Sequence, residues 1–167
     1  MIAERGRERH GNTIQRRGAK KKVGKLGRGC ATFRFLATDL SLERQAVDID
    51  PLIEFAEASV YDLPFEDGSF DLVVCCEVME HLDRPHEALA EVSRVARDFV
   101  LMSTPWEPVW RAMNMARGKY LRDLGNTPGH IQHFGRRDLV ELAMTRLEIV
   151  SVARPLPWTV ILGTPRR

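Results

Sequence analysis

A chain of 167 residues that is 44% hydrophobic and 29% charged has the make-up of one globular domain with a real core, and is short for two. It has no apolar run near the roughly 18 to 20 residues needed to span a bilayer, and its start, MIAERGRERH, lacks the apolar core of a secretory signal, so the cytoplasm is the expected compartment. The net charge of +2 is unevenly spread: residues 1–29 hold ten Lys+Arg against two Glu, about +8, which leaves about −6 for the remainder.

The first 29 residues are almost devoid of apolar side chains and read as a basic, mobile tail, with a domain over residues 30–167. The run Arg16 to Lys25 suits a nucleic acid or another anionic surface, but no aromatic residues interleave it to stack on bases, and a solvated tail is the favoured reading. The segment Gly24-Lys25-Leu26-Gly27-Arg28-Gly29 has the glycines of a nucleotide loop, yet Lys20-Lys21-Lys22 stands where a buried strand is required. Cys30, Cys75 and Cys76 are odd in number, and two are adjacent, which suits neither a disulfide framework nor a zinc site.

Thr32 to Leu40 reads as a strand with Asp39 at its end, a carboxylate placed either to accept hydrogen bonds from a ribose or to cap the short helix Leu42 to Ala46 behind Ser41. Ile53 to Val60 is a weaker strand. The run Phe70 to Cys76, apolar but for Asp71, follows an Asp67-Gly68 turn and fits a strand buried on both faces. Pro85 opens a helix whose Ala88, Leu89, Val92, Val95 and Ala96 share one face, and Phe99 to Ser103 is the next buried strand, completing a parallel crossover unit. Glu107 to Gly118 is helical, with Val109, Met113 and Ala116 along one side. Lys119 to Gly129 is a loop too rich in breakers to pack as core, of the kind that serves as a lid. His130 and His133 follow it. Arg137 to Met144 is a short helix, and Leu147 to Ala153 and Trp158 to Thr164 are closely connected, hence antiparallel, strands.

The block Leu63-Pro64-Phe65-Glu66-Asp67-Gly68-Ser69-Phe70-Asp71, then Glu77-Val78-Met79-Glu80-His81-Leu82, then Ala88-Leu89-x-Glu91-x-x-Arg94-Val95, resembles the central and C-terminal motifs of class I S-adenosylmethionine-dependent methyltransferases, in the broad group that includes ubiquinone and menaquinone methyltransferases. The resemblance covers about residues 33–164. It implies an α/β, Rossmann-like sheet, mostly parallel with an antiparallel C-terminal edge. The cofactor it implies is S-adenosyl-L-methionine, and the partner a small-molecule methyl acceptor. On the residues matched, Asp39 is implied to hold the cofactor ribose, Ser59 and Val60 to meet the adenine, and Cys76, Glu77 and Val78 to border the adenosine and methionine moieties. His130 and His133 are nominated as bases near the acceptor, with packing of a lid against the sheet as the equal alternative. Glu77, Glu80 and His81, with His130 or His133 later, resemble a two-Glu, two-His metal set, but the EVxEH pattern is common in the group without a metal and none is expected.

The chain departs from that family at its start. Where an apolar strand, an acidic-glycine loop and a supporting helix belong, there is the basic segment Lys20 to Cys30, and only about ten residues separate Gly29 from Asp39. The sheet is therefore expected to be incomplete at its N-terminal strand and helix, with a partner subunit, a second copy or the tail covering the edge. Weak binding of the cofactor follows. So does an alternative function, an inactive binding or scaffold protein that uses its basic tail for nucleic acid or a partner.

Overall fold

The computed structural model describes residues 2–5, 33–39 and 53–167. In chain order these form β1 (Ile2–Arg5), β2 (Phe33–Asp39), β3 (Ile53–Glu57), β4 (Phe70–Cys76), α1 (Pro85–Val95), β5 (Ala96–Pro105), α2 (Glu107–Ala116), α3 (Arg136–Met144), β6 (Leu147–Ala153) and β7 (Trp158–Pro165). One seven-stranded sheet runs in the order β3-β2-β1-β4-β5-β7-β6. The helix expected at Leu42 to Ala46 and the glycine-rich segment 24–29 lie outside the described residues.

The apolar run Phe70–Cys76 becomes β4 because helix packing on the sheet leaves it little contact with water: Phe70, Val73 and Cys75 are buried. Its parallel partner is β5, with Leu72 opposite Phe99 and Cys76 opposite Ser103. Between them, α1 starts at Pro85, whose missing N–H costs nothing in a first turn. Ala88, Leu89, Val92 and Val95 recur at helical spacing and are buried as α1 packs on β4 and β5. Leu89, Val92 and Val95 each contribute on the order of 1.5–3 kcal/mol on burial, and Ala88 less. The second layer of core comes from Leu139, Leu142 and Ala143 of α3, which packs on β6 and β7.

Strands β2 to β6 point one way, because β2 and β3 pair parallel, as do β4 and β5, while β1 and β7 are antiparallel to both of their neighbours. The mostly parallel sheet with an antiparallel C-terminal edge is thus as the sequence leads one to expect. The N-terminal deficit takes an unexpected form. Residues 2–5, expected within the basic tail, form β1 in the middle of the sheet, antiparallel to β2 and β4. Two strand edges separated by one strand width present unpaired backbone groups on both sides, which even a short polar segment can satisfy. The substitution is partial: β1 is four residues long, and only Ile2 and Ala3 are in register with β4. The sheet remains incomplete at its first strand.

The second difference concerns α2. Its buried residues are Glu107 and Asn114, whereas Met113 and Met115 are exposed. The Val109, Met113 and Ala116 stripe is not its packed face. Asn114 donates to the Gly125 carbonyl (2.9 Å) and to Thr127 Oγ1 (3.2 Å), and Trp110 Nε1 donates to Thr127 Oγ1 (2.9 Å). The breaker-rich loop is therefore packed on α2 by polar contacts that a hydrophobic pattern does not reveal. Gly125 makes this possible: its φ is +78°, and a Cβ there would lie 2.2 Å from the Arg111 carbonyl oxygen.

Candidate active site

The carboxyl ends of β2 and β4 flank β1, and the registered pairs of β1 stop at Leu36 and Val73, short of the strand tips. Above that point lies a cleft of about 330 Å³, the size of a small-molecule site, at the place where open α/β sheets bind ligands. Thr38 and Asp39 line it from β2, Val73, Val74 and Cys75 from β4, and Ala58, Val60, Leu63, Glu77, Val78, His81 and Leu82 from the connections. A larger cavity of about 570 Å³ opens near Gly68, Ala96 and a group of arginines, at the start of β5 and away from the β2 and β4 tips.

Of the six residues nominated for the cofactor, the fold brings Asp39, Val60, Glu77 and Val78 together around this cleft. Ser59 and Cys76 are not among the lining residues. Ser59 sits in an isolated bridge with Asp62 and its Oγ accepts from the Tyr61 N–H (3.3 Å), and Cys76 is an exposed residue at the end of β4. Burial pushes the Cys75 thiol up to about 12, so it is an inert packing group. The lining residues that sequence reasoning missed, among them Ala58, Leu63, His81 and Leu82, are apolar or serve a motif read for other reasons.

Glu77 is the strained point of the cleft. Its φ of 58° is in the left-handed region that non-glycine residues avoid. Two contacts to β5 hold it there: its N–H donates to the Ser103 carbonyl (3.0 Å), and its carboxylate accepts from Ser103 Oγ (3.1 Å).

The co-occurrence of the Leu63-Pro64-Phe65 block with the Glu91 and Arg94 pattern has a geometric cause. Arg94 donates to the carbonyls of Leu63 (2.9 Å) and Phe65 (2.8 Å) and to the carboxylates of Asp67 and Glu91 (2.8 Å each). Glu91 in turn accepts from the Leu63 N–H (3.0 Å). The hydrogen bonds from Arg94 hold the Glu91 carboxyl below the ordinary range. This clamp fastens the floor of the cleft to α1.

Behind the cleft lies a second group of side chains. His81 follows Met79 and Glu80 in a single 3-10 turn and is exposed, while His130 is buried beside it, the two rings perpendicular with centroids 4.8 Å apart. His130 Nδ1 meets Glu107 Oε1 at 2.7 Å, and His81 Nδ1 donates to the Gly129 carbonyl at 2.9 Å. Glu80 is 1% exposed, and neither of its carboxyl oxygens has a hydrogen-bond partner. Burial, reinforced by the charges of Glu77 and Glu107, raises its pKa to about 7. His133 stands apart, exposed, with Nε2 donating to Asn126 Oδ1 at 3.1 Å. Neither His130 nor His133 is among the residues lining the cleft; His81 is. Among the described residues no helix is long and apolar enough to cross a membrane.

A family model described as a methyltransferase domain matches residues 21–99. Among solved structures, the chain is similar to the PH0226 protein of Pyrococcus horikoshii OT3, with 14% identity, 80% of this chain and 72% of that one covered, and a TM-score of 0.63. It is also similar to an S-adenosylmethionine-dependent methyltransferase of Thermotoga maritima, with 15% identity, 79% and 73% covered, and a TM-score of 0.60. A third is the 1,6-didemethyltoxoflavin-N1-methyltransferase of Burkholderia thailandensis, solved with 1,6-didemethyltoxoflavin and S-adenosylhomocysteine, with 16% identity, 80% and 62% covered, and a TM-score of 0.56.

Proposed function

We propose that this chain, which belongs to the class I S-adenosylmethionine-dependent methyltransferases, uses the cleft between the β2 and β4 tips to hold the adenosine end of S-adenosylmethionine and transfers its methyl group to a small-molecule acceptor. The observation that carries this reading is the convergence of Asp39, Val60, Glu77 and Val78 on one cavity from three separate stretches of sequence. The cavity fits an adenosine. Ala58, Val60, Val78 and Leu82 supply apolar walls for a base, and Asp39, at the tip of β2, supplies an acceptor for paired ribose hydroxyls.

When bound, the cofactor supplies an already activated methyl group, so the residues of this chain have positioning to do and little covalent chemistry. Asp39 and the apolar walls fix the adenosine. Glu77, pinned by Ser103, turns the chain sharply across the mouth of the cleft. For an oxygen or nitrogen acceptor a proton must also leave, and neither His130 nor His133 is among the residues lining the cleft. The methionine end has no counterpart among the described residues, since β1 enters reversed where a glycine-rich turn would follow a parallel strand.

The test is photo-crosslinking with methyl-labelled S-adenosylmethionine followed by peptide mapping. Label within residues 58–82, lost when S-adenosylhomocysteine competes and reduced in Asp39→Ala, is the expected result. Label that S-adenosylhomocysteine does not displace, or that maps elsewhere, sinks the assignment.

A further inference from the structure

We propose that Glu80, His81 and His130 form a binding site for one divalent transition-metal ion, held by one carboxylate and two imidazoles. This goes beyond the methyl-transfer reading and does not depend on it.

Three observations carry it. One donor atom from each of the three residues lies within 4.8 Å of the other two. Glu80 is 1% exposed and has no hydrogen-bond partner on either oxygen among the described residues, although a buried carboxyl is normally satisfied. Both histidines, finally, are held as ligating histidines are. A backbone carbonyl can only accept, so His81 Nδ1 donates to Gly129 and its Nε2 is left with the lone pair. His130 Nδ1 is engaged by the Glu107 carboxylate, which likewise leaves Nε2 free. Such outer hydrogen bonds fix the tautomer and raise the basicity of imidazoles that bind metals.

Local structure brings these side chains together. The 3-10 turn Met79–His81 puts Glu80 inward and His81 outward in successive positions. The loop before His130 is fastened to that turn, with the N–H groups of Ile131 and Gln132 both donating to the Glu80 carbonyl at 2.9 and 3.0 Å. Gly129 has a φ of +89°, and a Cβ there would come within 3.3 Å of His81 Nδ1, so glycine lets its carbonyl approach the ring. The buried carboxyls of Glu80 and Glu107 place acidic charge in a nearly dry region that a cation would balance.

The donor set selects among ions. Two imidazoles favour zinc, cobalt, nickel or iron over magnesium and calcium, which prefer oxygen throughout. Ligation at about 2.0–2.2 Å requires the three donors to draw together by roughly 1 to 1.5 Å, which rotation of the exposed His81 can supply. Three protein ligands leave a coordination position open, and one of the three, His81, also lines the cleft.

The probe is cobalt(II), with zinc(II) in parallel, titrated into the full chain after chelator treatment, with stoichiometry and affinity from calorimetry and the ligand type from the visible spectrum. One ion per chain is expected, with d–d bands of a low-symmetry imidazole and carboxylate site and no thiolate charge-transfer band, and with affinity unchanged in Cys76→Ser. His81→Ala, at an exposed position that leaves the fold intact, is expected to lower affinity at least about tenfold; Glu80→Gln removes the carboxylate with its shape kept, and Glu107→Gln lowers affinity by roughly 10- to 100-fold through His130. Absence of a one-to-one complex in the wild-type chain overturns the proposal. So does a complex whose affinity is undiminished in His81→Ala, or one whose spectrum shows a thiolate ligand.

Discussion

His130 and Glu107 meet at 2.7 Å, and both are buried, at 8% and 3% exposure, with the histidine just past the loop and the acid at the start of α2. The pair ties the end of a 13-residue-scale excursion, residues 117–129, back to the helix that began it. Neither partner can be removed without stranding the other away from water.

Replacement of Glu107 by Ala should therefore destabilise the metal-free protein by about 1–3 kcal/mol, the cost of an unpaired buried polar group. Glu107→Gln keeps an acceptor at the same place and should lose less than half as much. Urea unfolding of the two variants measures the difference, and equal losses would assign Glu107 a role in volume alone.

The loop makes a second prediction through Asn114, which is 1% exposed and satisfies the Gly125 carbonyl and Thr127. Asn114→Ala should cost about 1–3 kcal/mol by leaving that carbonyl unmet. It should also raise hydrogen exchange over residues 118–130 while leaving that of β4 and β5 unchanged. Gly125→Ala should be no milder, because it adds a positive-φ penalty to a backbone clash.

The Glu91–Arg94 clamp predicts a dependence on acid. Glu91 has a lowered pKa in the folded chain, chiefly from the Arg94 hydrogen bonds. A carboxyl depressed in the folded state contributes its stability in full above its ordinary value of 4.5 and loses it as pH falls through the depressed value. At neutral pH Glu91→Gln should cost about 1–2 kcal/mol, its partly exposed setting moderating the usual worth of charged hydrogen bonds. The gap between wild type and variant should close below pH 4.5, read from denaturant midpoints across an acid series. A gap that persists undiminished at the acid end would contradict the linkage.

Glu77 separates function from stability. Glycine adopts its φ of 58° without penalty, so Glu77→Gly should change unfolding free energy by no more than about 1 kcal/mol in either direction. Its cost should appear in cofactor affinity, through loss of the Ser103 anchor at the mouth of the cleft.

Much of this was legible in the sequence because local patterns and tertiary structure agree. The Phe70–Cys76 run and the α1 face of Ala88, Leu89, Val92 and Val95 supply buried core, and the closely connected β6 and β7 pair antiparallel. The lining of the candidate cleft was legible only where motifs meet strand tips, as at Asp39, Glu77 and Val78. What the pattern missed is polar. Asn114 and Glu107 give α2 a hydrophilic packed face, and Glu80 lies buried beside an exposed His81 because the roughly three residues per turn of a 3-10 helix send neighbouring side chains to different sides. Nor does periodicity reveal the placement of residues 2–5 between β2 and β4, since backbone pairing fills that gap whatever the side chains.

The central proposal is that the cleft holds the adenosine half of the cofactor and that none of the described residues grips the methionine half. Calorimetry of adenosine, S-adenosylhomocysteine and S-adenosylmethionine on the full chain tests it most directly. The account predicts weak binding of all three, affinities within about tenfold of one another, so within about 1.4 kcal/mol, and a common loss in Asp39→Ala. No detectable adenosine binding, or a low-micromolar S-adenosylmethionine complex far tighter than that of adenosine, would contradict it.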